Sequence, residues 1–524
     1  MSWKPRKPRL SRLLSRVLEP VEQIVHWFFG ERYNPTYQSG VLALYLLGLV
    51  VLSGLPLLFF YRVGSPYEST RWIADTAGLA WLRSIHRYAS DAAVLAVIWH
   101  VIRMLLGGRT AGPRRRAWVS GILLTALLVV VGVVGLMLVW DVQAQHLAQS
   151  SVRLIEGLPI FSESPRRVFA DPKAVGESFF FMLIFLHVAL PLVLVFLVLF
   201  HTSRVARARL WPEAYLARYY GVALLLLAVL WPPSLAGPAD LLQLPGPVGL
   251  DGFYAFWLPL VELWGPSGAL VALALLTGLL ASVPWWWKPQ EELAKLASFV
   301  DEELCTGCTQ CFQDCPYDAI EMVERKQDPE SRRSVVVARV DPNLCVSCGI
   351  CTASCAPMGV GPPGRTGRDQ LREAQQWSAG SVWRPGEVAV LACRWGCGES
   401  RLWEQAPGLR LMATGCSGSV HTSVIEFLLR SGAAGVVIVS CPERDCSHRE
   451  GPKWLQLRVY QDREAELQAR VDRRRVRLLA RPGVDVGRAL REVQAFRDEL
   501  NALLPTREEQ PFEEPRCKLE EEAS

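Results

Sequence analysis

Two pairs of histidines in long apolar stretches constrain the fold of this chain more than any other feature. His86 and His100 are fourteen residues apart, and so are His187 and His201. In an α-helix, fourteen residues return to within about 40° of the starting face and rise about 21 Å. Each pair therefore faces one way at two depths. Since ionisable residues inside membrane helices are usually functional, the pattern predicts a functional centre at each depth.

Four apolar segments are long enough to cross a bilayer. They lie near 40–61, 87–106, 118–139 and 178–200. The histidine helices would then be the second and fourth spans and run parallel, so that His86 faces His187 and His100 faces His201. Two facing neutral imidazoles are the axial ligands of a six-coordinate haem iron. The alternative is four polar residues satisfied inside a bundle, but the repeated spacing favours haem.

Glycines on the first and third spans repeat the same spacing. Gly40 and Gly54 are fourteen residues apart, as are Gly121 and Gly135. The absence of a side chain at these levels would let a flat macrocycle approach the helix backbone. The four glycines are therefore predicted to line two haem sites.

Residues 21–289 resemble the cytochrome b family of bc-type and b6f-like quinol-oxidising complexes. The resemblance rests on the glycine pairs, the four histidines, the segment RSIHR at 83–87 and the segment GLMLVW at 135–140. It implies two b haems, one or two quinone pockets and a possible homodimer. It also implies that Arg83 and Arg87 bind the haem propionates.

The resemblance weakens in the region before the last span. The family usually carries a Pro-Glu-Trp-Tyr element whose glutamate accepts a proton, and the corresponding residues here are Asp251-Gly-Phe-Tyr254. Asp251, Tyr254 and His146 are candidate quinone-site residues, although an acid at position 251 is also a typical helix cap. Gln38 stands where the chloroplast form has a haem-attaching cysteine, so no thioether-linked haem is expected.

Two further apolar stretches, 220–235 and 268–287, bring the predicted number of spans to about six. Basic residues before the first span, at 107–116 and at 202–218 would all lie on one side, which the positive-inside rule assigns to the cytoplasm. An even number of spans returns the chain to that side. We expect an inner-membrane protein with its N-terminus and C-terminal domains in the cytoplasm. Because the basic clusters flank spans, they do not indicate nucleic-acid binding.

All the cysteines follow residue 304, and eight of them form two matching runs with the pattern C-x2-C-x2-C-x3-C. In bacterial ferredoxins this spacing binds two [4Fe–4S] clusters, and the fourth cysteine of each run ligates the other cluster. The expected ligand sets are Cys305, Cys308, Cys311 and Cys355 for one cluster, and Cys345, Cys348, Cys351 and Cys315 for the other. Zinc is the alternative, but zinc sites usually pair CxxC motifs without these further cysteines.

Short apolar runs alternate with helical patterns over residues 385–505, which predicts a small α/β domain with a largely parallel sheet. Its cysteines lie at or just beyond the ends of predicted strands. They are Cys393, Cys397, Cys416, Cys441 and Cys446. The carboxyl ends of parallel strands meet at one crevice, so four or five thiolates there would suit a [2Fe–2S] cluster. Scattered, metal-free thiols are the alternative.

Residues 386–503 resemble the delta subunit of methyl-viologen-reducing hydrogenase. The resemblance rests on the segments CRWGC, CSG and CPERDCSH. It implies a [2Fe–2S] centre that exchanges electrons with a flavin-bearing soluble partner. Because the first cysteine pair is spaced one residue wider than usual, the choice of four ligands among the five cysteines stays open. Cys517, in an acidic tail, is expected to have no metal role.

The expected fold is multidomain, with an all-α transmembrane bundle, an α+β ferredoxin-like domain and a small α/β parallel-sheet domain. The predicted boundaries are 1–35 for an amphipathic surface segment, 36–210 for a four-helix dihaem domain, 211–289 for two further spans, 296–360 for the ferredoxin-like domain, 361–384 for a linker, 385–505 for the hydrogenase-delta-like domain and 506–524 for an acidic tail.

Every predicted module carries electrons, and no glycine-rich phosphate loop occurs in the sequence. The leading hypothesis is a membrane electron-transfer subunit of a quinone-linked oxidoreductase. It would link a cytoplasmic flavin or iron–sulfur oxidoreductase subunit to the quinone pool through [2Fe–2S], two [4Fe–4S] clusters and two b haems. One alternative is a bc-type quinol-oxidising cytochrome b that passes low-potential electrons to the clusters. Another is a redox-sensing docking protein without turnover.

Overall fold

The protein is represented by a computed structural model of the whole chain. The residues that it describes are 20–30, 33–107, 109–110, 114–160, 163–169, 175–203, 209–243, 248–249, 251–287, 296–325, 335–380, 382–483 and 485–503. The chain separates into two compact units. The first comprises Met1–Ser298, Cys315–Glu321 and Arg339–Ser347, and the second comprises Phe299–Asp314, Met322–Ala338 and Cys348–Ser524.

The first unit is built mainly on apolar helices. In chain order they are α1 (Ser39–Leu58), α2 (Pro66–Asp75), α3 (Leu79–Leu106), α4 (Arg115–Met137), α5 (Val142–Glu156), α6 (Glu177–Ser203), α7 (Ala214–Leu230) and α8 (Leu258–Trp286). Among the described residues, five helices are long and apolar enough to cross a membrane, namely α1, α3, α4, α6 and α8. The all-α bundle predicted for this half of the chain is confirmed.

The remaining predicted span, 220–235, is shorter and earlier than expected. Helix α7 has 17 residues and is therefore about 26 Å long, at the short end of the lengths that cross a bilayer. It ends at Leu230 because two prolines at 232–233 lack the N–H groups that would continue the helix.

Helix α8 begins before the predicted span at 268–287 and bends within its length. The backbone of Gly265 has φ of +69°, a left-handed conformation that glycine adopts without strain. Pro266 follows and cannot donate to the helical hydrogen-bond ladder. The span is thus the second part of a longer, interrupted helix.

Two helix pairs form the centre of the first unit, since α1 packs on α3 and α4 packs on α6. Small residues on α3, Ala89 and Ala93, are completely buried beside Leu46 of α1, and such residues allow close helix approach. Of the predicted surface segment, residues 20–30 are helical and expose Trp27 and Phe28. Residues 1–19 lie outside the described part.

The ferredoxin-like region consists of short strands and single-turn helices, as an α+β fold requires. Strand β1 (Phe299–Val300) pairs antiparallel with β4 (Val360–Gly361). Strands β2 (Ile320–Glu324) and β3 (Val336–Val340) form a second two-stranded sheet. Its helices are α9 (Gln310–Asp314) and α10 (Ile350–Ala353).

A four-stranded parallel sheet forms the centre of the C-terminal domain, as predicted. The strands are β5 (Val388–Cys393), β6 (Leu409–Thr414), β7 (Gly435–Ser440) and β8 (Val476–Ala480). Their order is β6-β5-β7-β8, and every neighbouring pair is parallel. The central strands β5 and β7 are buried along their whole length, which explains why both appear in the sequence as continuous apolar runs.

The segment predicted as a linker, 361–384, differs from that expectation because it contains a helix. Helix α11 (Gly367–Ala379) begins at a capping box in which Thr366 and Asp369 each satisfy a backbone N–H group of the other. It packs against α12 (Thr422–Arg430). The sheet domain ends with α13 (Gly451–Tyr460) and α14 (Val486–Leu503). The acidic tail and Cys517 lie outside the described residues.

Candidate functional site

The structure brings the four predicted histidines together at two levels of the helical unit. The imidazole rings of His86 and His187 face each other with centroids 6.2 Å apart. His100 lies within electrostatic range of His201 at the other level. With metal–imidazole bonds of about 2 Å, one iron between two rings requires a centroid separation of about 6 Å. The measured separation therefore fits axial ligation of one iron.

Every imidazole directs Nδ1 at the neighbouring helix. The contacts of Nδ1 are His86 with the Val50 carbonyl oxygen at 2.9 Å, His100 with Ser39 Oγ at 3.3 Å, His187 with the Val131 carbonyl oxygen at 3.2 Å, and His201 with Ser120 Oγ at 2.9 Å. No hydrogen bond to any of the four Nε2 atoms occurs within the described residues. A metal-binding histidine typically donates its second N–H in this way, which leaves the other nitrogen for the metal.

Each predicted glycine faces one of these imidazoles. A Cβ atom added at the glycine would approach Cε1 of the ring to 2.9 Å for Gly40 and His100, 2.8 Å for Gly54 and His86, 3.2 Å for Gly121 and His201, and 2.6 Å for Gly135 and His187. In the structure the glycines thus make room for the histidine rings, and the further role of admitting a flat macrocycle stays a prediction. Because each glycine lies opposite one histidine ring, the glycines have the same fourteen-residue spacing as the histidines.

Arg87 lies between two carboxylates. Its Nη1 is 3.2 Å from Asp91 Oδ1, and its Nη2 donates to Asp251 Oδ2. The other oxygen of Asp251 accepts from the backbone N–H groups of Phe253 and Tyr254. Asp251 therefore caps a turn at 252–254, and not a helix as the sequence suggested, and it also forms an ion pair. Sequence reasoning missed Asp91, although an acid inside an apolar, membrane-length helix is a recognisable signal.

Of the other candidate residues of this region, Tyr254 lies beside Arg87, whose guanidinium carbon is 5.7 Å from the centroid of the tyrosine ring, whereas Arg83 and His146 make other contacts. Tyr254 is 1% exposed, contacts Ser90 through its hydroxyl group, and lies against Gly132, where a Cβ would be 2.0 Å from the tyrosine ring. Arg83 donates from Nη1 to the Pro233 carbonyl oxygen at 2.9 Å. His146 is half-buried on α5. The structure thus groups Asp251 and Tyr254 with Arg87 and Asp91.

Four thiols of the ferredoxin-like region line one cavity. They are Cys305, Cys308, Cys311 and Cys355, the set that the spacing predicts. Burial raises the pKa of the Cys311 thiol, with a further contribution from the neighbouring cysteines. Iron ligation removes this proton, since metals bind the thiolate form. Among the described residues, no group of three or more His, Cys, Asp or Glu side chains is close enough to chelate a single metal ion.

Backbone N–H groups point at two of the four cysteine sulfurs of the second predicted set. Cys345 Sγ accepts from the N–H groups of Ser298 and Ser347, each at 3.4 Å. Cys315 Sγ accepts from Ala319 N–H at 3.4 Å, and burial raises the pKa of its thiol. Hydrogen bonds to sulfur are a main determinant of iron–sulfur reduction potentials, so these donors suit cluster ligands.

Four of the five cysteines in the C-terminal domain converge beyond the carboxyl end of the sheet. The sulfurs of Cys393 and Cys441 are 4.0 Å apart. A Cβ added at Gly451 would lie 3.0 Å from Cys416 Sγ and 3.5 Å from Cys446 Sγ, so these two thiols meet at the same glycine. All four are buried, and burial raises the pKa of the Cys416 thiol to about 12.

Cys397 is directed elsewhere. Its sulfur lies 3.3 Å from the carbonyl oxygen of Pro482 and 3.8 Å from that of Arg481. Its backbone carbonyl accepts from the Trp403 indole. The Cys397 sulfur therefore has contacts with the chain near residue 482, and which four of the five cysteines bind a cluster stays a prediction.

Apolar helices with facing imidazoles, followed by thiols at ferredoxin spacing, define a membrane electron-transfer protein. Three family models match consecutive regions of the chain. They are cytochrome b/b6/petB at 25–208, the 4Fe-4S dicluster domain at 304–359 and methyl-viologen-reducing hydrogenase, delta subunit, at 390–503.

A curated relative, cytochrome b6 of Synechococcus sp. (strain JA-3-3Ab), is 30% identical over 158 residues, which cover 29% of this chain and 72% of the relative. The chain belongs to the cytochrome b/b6 family, and it carries in addition a 4Fe-4S dicluster domain and a domain that matches the hydrogenase delta subunit. A solved structure titled "Hyperthermophilic respiratory Complex III" aligns with a TM-score of 0.38 and 18% identity over 48% of this chain and 75% of that chain. The family membership implies haem b, and the dicluster match implies [4Fe–4S] clusters.

We expect Gly54→Ala to lower the haem content to about half of the parental value. The new Cβ would displace the imidazole of His86 and so disrupt one of the two predicted histidine pairs. Gly48→Ala on the same helix is the matched control, since a Cβ there meets nothing within 4 Å. Pyridine haemochrome titration of the purified proteins measures b haem per chain. Equal haem contents in the two variants would contradict His86 as a ligand.

Proposed function

We propose that the protein is a membrane electron-transfer subunit that connects a soluble redox partner with the quinone pool. The carriers would be two b haems, two [4Fe–4S] clusters and one [2Fe–2S] cluster, all of which accept and release single electrons when bound. The observation that carries this proposal is that one chain presents separate, convergent ligand groups for each type of carrier. The partner would be a cytoplasmic flavin or iron–sulfur oxidoreductase subunit.

For the haems, His86 with His187 and His100 with His201 would supply the axial nitrogens. Their Nδ1 hydrogen bonds hold each ring and its tautomer in place without help from the haem. The connection between α3 and α4 is basic. It contains Arg109, and the first residue of α4 is Arg115. The positive-inside rule places this end of the helices, and therefore the His100 level, on the cytoplasmic side.

The same orientation supports the proposed location of the iron–sulfur domains. Cys305 follows the end of α8 after a short connection. A short tether keeps the effective concentration of one redox centre near another high. We infer that the cytoplasmic [4Fe–4S] domain exchanges electrons with the haem at His100 and His201, and that the haem at His86 and His187 lies further out.

The function is tested by reducing the purified protein with dithionite and adding a soluble quinone analogue. In the parental protein, the quinone should reoxidise the iron–sulfur signals seen by electron paramagnetic resonance. In His100→Ala, one haem should be missing and this reoxidation should slow by about tenfold or more. Asp75→Asn, which changes a 72% exposed side chain at the end of α2, is the control. Failure of the parental clusters to respond to quinone would favour a docking role without turnover.

For the [2Fe–2S] cluster, we propose Cys393, Cys416, Cys441 and Cys446 as the four ligands. These thiols are buried and mutually close, and the Cα of Gly451 allows the chain to pass beside two of their sulfurs. Cys397 would stabilise the turn after β5 through its contacts with the carbonyl groups of Arg481 and Pro482. The match with the hydrogenase delta subunit supports an electron-carrying role for this domain.

Replacement of single cysteines separates these roles. Cys393→Ser should abolish the [2Fe–2S] signal, because the site loses a thiolate ligand. Cys397→Ser is the matched control, and we expect it to keep the full signal. Iron and acid-labile sulfide per chain, together with low-temperature electron paramagnetic resonance, measure the outcome. A normal cluster in Cys393→Ser, or its loss in Cys397→Ser, would overturn the ligand set.

One group of charges favours a second function, quinol oxidation at the His86 level. Asp91 and Asp251 are only 16% and 17% exposed beside Arg87. One positive and two negative formal charges leave a net negative charge, which is unfavourable in a poorly solvated place unless one carboxyl group takes a proton. We infer that this pair supplies the proton acceptor that the family's glutamate usually provides.

Asp91→Asn should therefore slow haem reduction by a quinol by about tenfold or more, the range of a lost general base. Haem content and reduction by dithionite should stay parental. Asp75→Asn is the control, because the Asp75 side chain is 72% exposed. Parental quinol kinetics in both Asp91→Asn and Asp251→Asn would exclude this site, and the leading function would stand unaffected.

A further inference from the structure

Arg458 of α13 is a completely buried cation. Its side chain is 0% exposed, and its Nη2 lies 3.3 Å from Oδ2 of Asp314, which is 1% exposed. A charge is stable in such a place only when it is paired and hydrogen-bonded. The fold must therefore keep Arg458 and Asp314 paired. The groups around the pair indicate what role it has.

The guanidinium of Arg458 joins the motifs that carry the proposed cluster ligands. Nη1 donates to the carbonyl oxygen of Gly418, in the Cys-Ser-Gly motif, at 3.1 Å. Nη2 donates to Ser354 Oγ at 3.0 Å and to Asp314. Ser354 and Asp314 each immediately precede the fourth cysteine of a ferredoxin run. The hydroxyl group of Ser354 donates a hydrogen bond to Asp314 Oδ2 at 2.7 Å. One side chain thus holds three cysteine segments.

Further contacts join the segments that contain the ferredoxin cysteines to the segment after Cys416. We call this line of contacts the seam. His421 Nε2 lies 3.2 Å from the carbonyl oxygen of Cys355. A Cβ added at Gly349, the residue after Cys348, would lie 3.1 Å from Cβ of Ser419. Helix α10, which carries Cys351, packs against residues 417–419. The chain segments that carry Cys348, Cys351 and Cys355 are therefore in direct contact with residues 417–421, which follow Cys416.

One donor of Arg458 has no acceptor. Its Nε–H is buried and has no hydrogen-bond partner within the described residues, and the guanidinium is within electrostatic range of the Cys416 thiol. Buried N–H groups in proteins are almost always bonded. A sulfur atom of a cluster held by Cys416 is an acceptor of suitable chemistry, and such bonds together with nearby charge set the potential of iron–sulfur clusters.

We propose that Arg458 is a positioning residue for electron transfer between the ferredoxin clusters and the cluster of Cys416. The proposal rests on the proposed function, because it requires both kinds of cluster. In the transfer, one electron leaves a reduced [4Fe–4S] cluster, which is thereby oxidised, and reduces the [2Fe–2S] cluster. No bond forms or breaks, and no proton moves. Arg458 keeps the two ligand sets in register, and its charge raises the potential of the acceptor.

Arg458→Gln, made in the full-length protein, tests this role against Arg463→Gln. Arg463 is the matched control because it also donates to Asp314, at 2.6 Å, but its side chain is 23% exposed. The side-chain hydrogen bonds of Arg463 within the described residues go to Asp314 and Gln313. Iron content, redox titration of each cluster followed by electron paramagnetic resonance, and freeze-quench transfer rates after mixing with dithionite are measured for both variants.

Arg458→Gln should keep its iron, lower the potential of the [2Fe–2S] cluster and slow the transfer by about tenfold or more. Arg463→Gln should be parental. Parental potential and rate in Arg458→Gln would overturn the proposal. If that variant does not fold, Arg458→Lys and Ser354→Ala decide, since both remove hydrogen bonds of the seam and must slow the transfer. Absence of the [2Fe–2S] signal in the parental protein would refute the proposed function instead.

Discussion

The hydrogen bonds from Nδ1 of the four histidines to the adjacent helices are the interactions on which the membrane unit depends. They require each histidine helix to pack closely on a partner, α3 on α1 and α6 on α4. Close packing in turn requires glycine opposite each ring, because a Cβ atom would collide with the imidazole. The rings are therefore held by the protein itself, as second-shell contacts hold metal ligands in other sites. The two levels of histidines thus result from the same arrangement at all four positions, a glycine opposite the ring and a contact of Nδ1 with the adjacent helix.

Much of this arrangement is predictable from the sequence, because the fourteen-residue spacing and the apolar lengths are local properties of single helices. The parallel sheet was predictable for a similar reason, since its buried strands are continuous apolar runs. What could not be predicted depends on long-range contacts. One partner of Arg87 is Asp251, which is 164 residues away in the sequence, and the Cys397 sulfur contacts the carbonyl groups of Arg481 and Pro482, more than 80 residues away. Helix α11 is an exception, because Thr366 and Asp369 form a capping signature that could have been recognised.

The two kinds of redox site are built by different means that share one physical requirement. The helical unit supplies neutral nitrogens from within single helices, whereas the C-terminal domain collects thiols from loops that follow three parallel strands. In both, the ligand atoms are removed from water. Burial raises the pKa of Cys416 to about 12, so without iron this thiol keeps its proton and the neutral form avoids an unpaired buried charge. A metal cluster held at Cys416 would replace that proton, and its assembly would therefore be coupled to the stability of the folded domain.

A partly buried cation, Arg87, lies beside the proposed sites of the first unit and a buried one, Arg458, beside those of the second, and the two placements have a common electrostatic basis. A carrier that gains an electron gains a negative charge, which is unfavourable in a poorly solvated interior unless positive charge is nearby. Arg87 follows the His86 ligand directly in the chain, and Arg458 is within electrostatic range of Cys416. Each arginine is in turn held by carboxylates, because a lone buried guanidinium would destabilise the fold by about 3–5 kcal/mol. The carboxylates therefore have two effects: they keep the cation in place, and they reduce the positive potential that the carrier experiences.

The two groups differ in net charge. Asp314 is shared between Arg458 and Arg463, so the group around Cys416 keeps a net positive charge, whereas the group around Arg87 is net negative. Electron acceptance is favoured at the first group and proton acceptance at the second.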